Sequence, residues 1–141
     1  MFQFAYRGTQ GTARIKLLPV AAGQLLSKGE PVSINAGLVV AGAPAATNFV
    51  GVMNQNANNL SAGTLVEVIL CDADTVFYAD AVGGDFTDAD IGSAFDLNAA
   101  DNTKVDKTDS LDGAWVIVGY DNNEDKVWVK CLPAKRHALA D

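Results

Sequence analysis

Apolar residues in this chain come in short alternating runs separated by glycine and aspartate turns, and no stretch of ten or more shows a 3.6-residue apolar period. That pattern excludes amphipathic helices and leaves strands as the way to bury apolar surface. The clearest case is residues 114–132. Ala114 to Tyr120 and Lys126 to Leu132 flank Asp121-Asn122-Asn123-Glu124-Asp125, which predicts a β-hairpin with a five-residue loop. Val127, Val129 and Cys131 fall on one face of the second strand, and Trp128 and Lys130 on the other.

The same logic covers the rest of the chain. Ser27-Lys28-Gly29-Glu30-Pro31-Val32-Ser33-Ile34 is echoed by Ser61-Ala62-Gly63-Thr64-Leu65-Val66-Glu67-Val68, 34 residues later. In each copy a glycine turn feeds a strand. Two copies are too few for a solenoid and suit a small barrel with recurring corners. Further strands are expected at 38–40, 48–52 and on both sides of an Asp turn within 65–79. Gly83-Gly84 breaks the chain, and 98–112 reads as a polar surface excursion. The fold class is therefore all-β: a small β-barrel or sandwich with an extended N-terminal arm, long loops and a C-terminal β-hairpin. The expected division is an arm at 1–18, a single β domain at 19–133 and a flexible tail at 134–141.

With 141 residues and 49% hydrophobic content, the chain is long enough for one real core. Fourteen of its seventeen acids are Asp, a residue of turns and caps. The net charge of −7 is unevenly placed: residues 72–125 carry −12, between a +2 stretch at 1–71 and a +3 tail at 126–141. An acidic protein of this kind is not expected to bind nucleic acid, which requires a basic face. No apolar run approaches the length of a membrane helix. The first twenty residues do not read as a secretory signal, so synthesis in a cytoplasm is expected.

Chemistry-bearing constellations are sparse. His137, the one histidine, lies in the tail, where nothing is expected to orient it. Asp72/Asp74 and Asp88/Asp90 are carboxylate pairs beside turns, where Asp bonds the backbone. Loops beginning at Asp121 and Asp88 both fail the calcium EF-hand pattern; a non-EF calcium site among Asp72, Asp74, Asp85, Asp88 and Asp90 stays open. Cys71 and Cys131 lack partners at metal spacing and read as buried free thiols, with a disulfide as the alternative. Trp115, Trp128, Phe77 and Tyr78 are core packing or a sugar-binding platform. No cofactor, metal or catalytic residue is assigned, and an enzyme is not expected. Lys28 at its S-K-G turn lacks the flanking residues of a lipoyl- or biotinyl-carrier lysine.

What remains is an interaction protein. Phe2, Phe4 and Tyr6 alternate with polar or small residues, and Arg7, Arg14 and Lys16 follow. Such an arm either edges its own sheet or adds a strand to a neighbour's. Those six residues are the expected contact set.

The run from Pro19 to Leu70 resembles the capsid cement, or head decoration, proteins of tailed bacteriophages. The similarity is carried by Gly29-Glu30-Pro31-Val32, the Ala-rich segment Ala41 to Thr47, Gly51-Val52 and Ala62-Gly63-Thr64. A second stretch, from Gly92 through Asp96-Leu97 to the closing Val118-Gly119-Tyr120-Asp121, extends it to about residues 19–121. The resemblance implies a non-enzymatic protein on the outside of a phage head. It would bind as a homotrimer and clamp neighbouring major capsid subunits. The alternative function is a carbohydrate-binding β module displayed on a virion or cell surface.

Overall fold

The computed structural model describes residues 1–8 and 11–141. The protein is all-β, with strands β1 (Gln3–Arg7), β2 (Ile15–Pro19), β3 (Leu25–Leu26), β4 (Pro31–Asn35), β5 (Leu38–Ala41), β6 (Phe49–Met53), β7 (Ala57–Asn58) and β8 (Leu65–Leu70). They are followed by β9 (Thr75–Val82), β10 (Ala94–Phe95), β11 (Lys104–Asp106), β12 (Trp115–Asp121) and β13 (Lys126–Cys131). Three short 3-10 turns, at Asp88–Asp90, Pro133–Lys135 and Ala138–Ala140, are the helical content of the described residues.

The strands form two main sheets. The first runs β1-β9-β13-β12-β10, with β11 parallel to the distal half of β9; the second runs β2-β8-β6-β4-β5. β3 and β7 make a separate two-stranded ribbon. The sheets share one core, giving a sandwich rather than a closed barrel. A single parallel bridge from Val20 to Val39, with the Ala21 N–H donating to the Val39 carbonyl at 3.0 Å, ties the two edges of the second sheet near one end.

The 34-residue echo is a structural repeat. Gly29 and Gly63 adopt φ of +89° and +86°. In each copy a backbone N–H closes a four-residue turn, Glu30 onto Ser27 at 3.0 Å and Thr64 onto Ser61 at 3.1 Å. Glycine at the third position of such a turn meets the requirement for positive φ. The turns launch β4 and β8, which pair antiparallel with β6 from its two sides. β6 is buried along its whole length. At its middle, a Cβ on Gly51 would lie 1.9 Å from the Ile69 carbonyl oxygen, so the close approach of β8 requires glycine there.

The core centres on Trp115 of β12, which is fully buried. Its ring meets Phe2 at 4.9 Å, Phe49 of β6 at 5.3 Å and Phe77 of β9 at 6.1 Å, with tilts near edge-to-face. Around it, Val127, Val129 and Cys131 point inward from β13, as their alternation predicts. The hairpin is present with a loop of four residues rather than five, because Asp121 pairs with Lys126.

Both ends of the chain depart from expectation. Residues 1–18 are not an extended arm. β1 pairs antiparallel with β9, and β2 pairs antiparallel with β8. Alternation specifies a strand but not its partner, and here each sheet of the body offers an edge. Residues 134–141 are not a flexible tail either. The His137 N–H donates to the Phe49 carbonyl at 2.8 Å, and Ala140 is fully buried against β6. Small side chains let this segment approach the sheet closely, so a 3-10 turn suffices to cover it. The 98–112 excursion is also partly integrated, since Val105 of β11 is fully buried.

The Trp115 Nε1–H has no acceptor among the described residues. Its contribution is therefore ring packing. Trp115→Ala is expected to cost about 3–5 kcal/mol, whereas Trp115→Phe, which keeps a ring and removes the orphan donor, should cost less than about 2 kcal/mol. Urea unfolding of the two variants measures the difference.

Candidate interaction surface

The six residues expected to form a contact set separate into three groups. Phe2 is buried against Trp115, and its N–H donates to the Gly29 carbonyl at 2.8 Å; Phe4 packs on the same core. Arg7 and Arg14 are engaged internally, donating from Nε at 2.9 Å and Nη1 at 3.1 Å to the same Oδ2 of Asp72. Arg14 Nη2 also reaches the Asp141 carbonyl at 3.4 Å. Tyr6 and Lys16 remain exposed. Phe2, Phe4 and the two arginines thus serve the fold: the inward face of β1 completes the core, and the arginines tie the residues flanking the β1–β2 connection to Asp72.

A different exposed feature lies on β2. This strand is the outer edge of its sheet. Hydrogen bonds from Leu70 N–H to the Arg14 carbonyl and from Val20 N–H to the Thr64 carbonyl show that the even-numbered residues face β8. The backbone groups of Ile15 and Leu17 therefore point away from the sheet. Their side chains are 51% and 56% exposed, and Leu65, opposite Pro19 on β8, is 55% exposed. Leu18 and Val20 take the inward positions. Glu67 sits opposite Leu17, and Ile69 opposite Ile15. Ile69 in turn lines a cleft of about 480 Å³ with Met1, Phe4, Lys28 and Met53. An open strand edge with apolar side chains beside an apolar cleft is a surface that natural sheets usually blunt or cover.

The carboxylates take structural positions. Asp72 is buried, with Oδ1 accepting from the Thr75 hydroxyl at 2.7 Å and the Asp74 N–H at 3.1 Å. Burial alone would raise its pKa, but the bonds from Thr75, Arg7, Arg14 and the Asp74 amide outweigh that and hold it at about 2. Asp80 pairs with Lys126 and the terminal amine. Asp88 accepts from the Tyr120 hydroxyl at 2.8 Å, and Asp90 accepts from the Thr87 N–H at 2.8 Å. Asp96 is the exception. It is buried beside β10 with Oδ1 unpartnered among the described residues. Burial, and after it the neighbouring Asp109, pushes its pKa up to about 6; Lys135 opposes this and Asp112 adds to it.

Among the described residues no group of three or more His, Cys, Asp or Glu side chains is placed to hold a metal ion. Likewise, no helix among them is long and apolar enough to cross a membrane. Cys71 and Cys131 are buried free thiols, and burial, with the Cys131 thiol close by, pushes Cys71 well above the ordinary thiol range. The four aromatics divide: Trp115 and Phe77 belong to the core, while Tyr78 and Trp128, half-buried on the opposite face, meet across β9 and β13 with ring centroids 4.7 Å apart and planes tilted by 47°.

Sequence reading missed Asp72 as an organising group. Its signal was present: an aspartate directly after an apolar run, with Thr75 three residues on, is a turn-forming pair. The apolar edge was also missed, because the alternation of Ile15 and Leu17 with Arg14 and Lys16 does not show which side faces solvent. No protein-family model matches the chain, and no curated protein is similar to it.

Two opposed pH dependences follow from these carboxylates. Asp72, lowered to about 2 from an unfolded value of about 4, contributes stability that is full above pH 4 and is lost as pH falls toward 2. Asp96, raised to about 6, favours the folded state when protonated, so its effect lowers stability as pH rises from about 4 to 6 and stays unfavourable above. At pH 7.5, on the order of that titration, Asp72→Asn should lose about 2 kcal/mol and Asp96→Asn should gain about 1–2 kcal/mol. Urea midpoints measured across this pH range for the wild type and both variants check each sign.

Proposed function

We propose that this protein is a structural decoration protein of a tailed-phage head, docking on the outer surface and clamping neighbouring major capsid subunits. One observation carries the reading: a strand edge whose outward backbone groups are unpaired among the described residues, with exposed Ile15 and Leu17 next to exposed Leu65, on an otherwise well-packed β body. An extended partner segment satisfies those backbone groups and covers those side chains together. Glycine and valine spacing over residues 19–121, similar to that of cement proteins, supplies the kind of partner. In this reading the β2 part of the N-terminal segment makes the contact, with Lys16 exposed within it. Of the acidic residues of 85–125, Asp85, Asp88, Asp112, Glu124 and Asp125 are exposed, whereas Asp96 is buried. The protein acts as a homotrimer, and three modest contacts then hold together through effective concentration.

The carbohydrate-binding reading retains one specific observation, the Tyr78–Trp128 pair outside the core. A glycan array whose hits vanish in Trp128→Ala would favour it over head decoration.

Sedimentation with emptied phage heads tests the main reading. Wild-type protein is expected to co-sediment saturably, and Leu17→Asp, at an exposed position that leaves the core intact, should weaken binding more than tenfold, on the order of a hot-spot loss. Absence of co-sedimentation, or equal binding by the variant, overturns it.

A further inference from the structure

We propose that the small cavity between the end of β13 and the C-terminal segment binds a small carboxylate with an aliphatic body. The cavity has a volume of about 170 Å³ and is lined by Ala73, Val116, Lys130, Cys131, Pro133 and Arg136. Four of these present apolar or weakly polar surface, and two are cations. This site is independent of the β2 edge and of the capsid reading.

Arg136 is the deciding group. Its side chain is only 9% exposed, and its Nε–H is buried without an acceptor among the described residues. Its Nη2 lies 3.4 Å from Oδ1 of Asp141, a carboxylate that is itself 60% exposed. That long contact leaves most of the guanidinium's donor capacity unused. Nε is closed to water and so to the cavity, which leaves the Nη groups as the donors a bound ligand meets. The guanidinium presents its N–H groups in a planar fork that matches the two oxygens of a carboxylate. Lys130 makes no ion pair among the described residues and supplies a second positive charge.

The backbone holds Arg136 in place. Its N–H donates to the Pro133 carbonyl at 3.2 Å, it bridges Phe49 of β6, and the next N–H, that of His137, donates to the Phe49 carbonyl at 2.8 Å. A fixed donor loses little freedom when a ligand arrives. The remaining lining selects among anions. Val116, Pro133, Ala73 and Cys131 offer no hydrogen bonds from their side chains to a strongly hydrated phosphate beyond those the two cations provide. They do offer contact to a short branched alkyl group. The volume is several times the roughly 30 Å³ share of one water, enough for such a group beside its carboxylate.

Titration of the ¹⁵N-labelled full chain with sodium isobutyrate at constant ionic strength, read by amide chemical shifts, tests this. Inorganic phosphate serves as the comparison anion. Saturable shifts are expected at Ala73, Val116, Cys131 and Arg136. Lys130→Gln should weaken binding about tenfold, and Arg136→Gln should abolish it. Val116→Phe keeps both cations and fills the space, so it too should abolish binding; with Lys130→Gln, it decides the matter if Arg136→Gln fails to fold. Absence of saturable shifts, unchanged binding in Val116→Phe, or tighter binding of phosphate than of isobutyrate overturns the proposal.

Discussion

Asp72 holds together the two places where the chain crosses between the two main sheets. The first crossover runs from β1 to β2 and carries Arg7 and Arg14 at its two ends. The second runs from β8 to β9 and carries Asp72 and Thr75. One buried carboxylate accepts from all three side chains, so the two crossovers are bound to each other as well as to their strands. Removing one partner from such a group strands the others in a poorly solvated place. The edge position of β2, and hence the exposed surface beside it, depends on this knot, because the residue immediately before β2 is one of its members.

The middle of the fold was legible because its devices are local. A glycine after Ser-Lys or Ser-Ala predicts a turn needing positive φ, and Gly29 and Gly63 both supply it. Alternation in Val127, Val129 and Cys131 predicts which face is buried, and the hairpin follows. The ends were illegible for a related reason. Strand pairing between residues 46 to 75 positions apart leaves no local mark, so Phe2-Gln3-Phe4 reads equally as an arm or an edge. At the other end, Ala138-Leu139-Ala140 is too short to show periodicity, yet Ala140 is fully buried.

The functional surface was harder still. The Ile15-Lys16-Leu17-Leu18 segment reverses the usual meaning of its pattern: two apolar residues face outward, and the next, Leu18, is buried. Which face is buried depends on what covers it, and the first three residues of β2 are exposed on both faces. Arg7 and Arg14 misled in the opposite sense. Arginines behind an aromatic strand suggest a basic contact surface, but a partner lay within the chain at Asp72. The acidic block of 72–125 likewise combines two kinds of residue, loop aspartates that cap turns and a few, such as Asp72 and Asp96, that are buried.

The pairing of β1 with β9 and of β2 with β8 also has a consequence for synthesis. Gln3 lies opposite Tyr78, and Ile15 opposite Ile69. The first strands to leave the ribosome therefore wait for β8 (Leu65–Leu70) and β9 (Thr75–Val82) before they have anything to pair with. During that interval Phe2, Phe4, Ile15 and Leu17 are exposed together on one short segment. Contacts of this separation slow folding and leave the nascent chain open to association. The N-terminal segment is thus the most vulnerable part of the protein before folding, and one of the most firmly held after it.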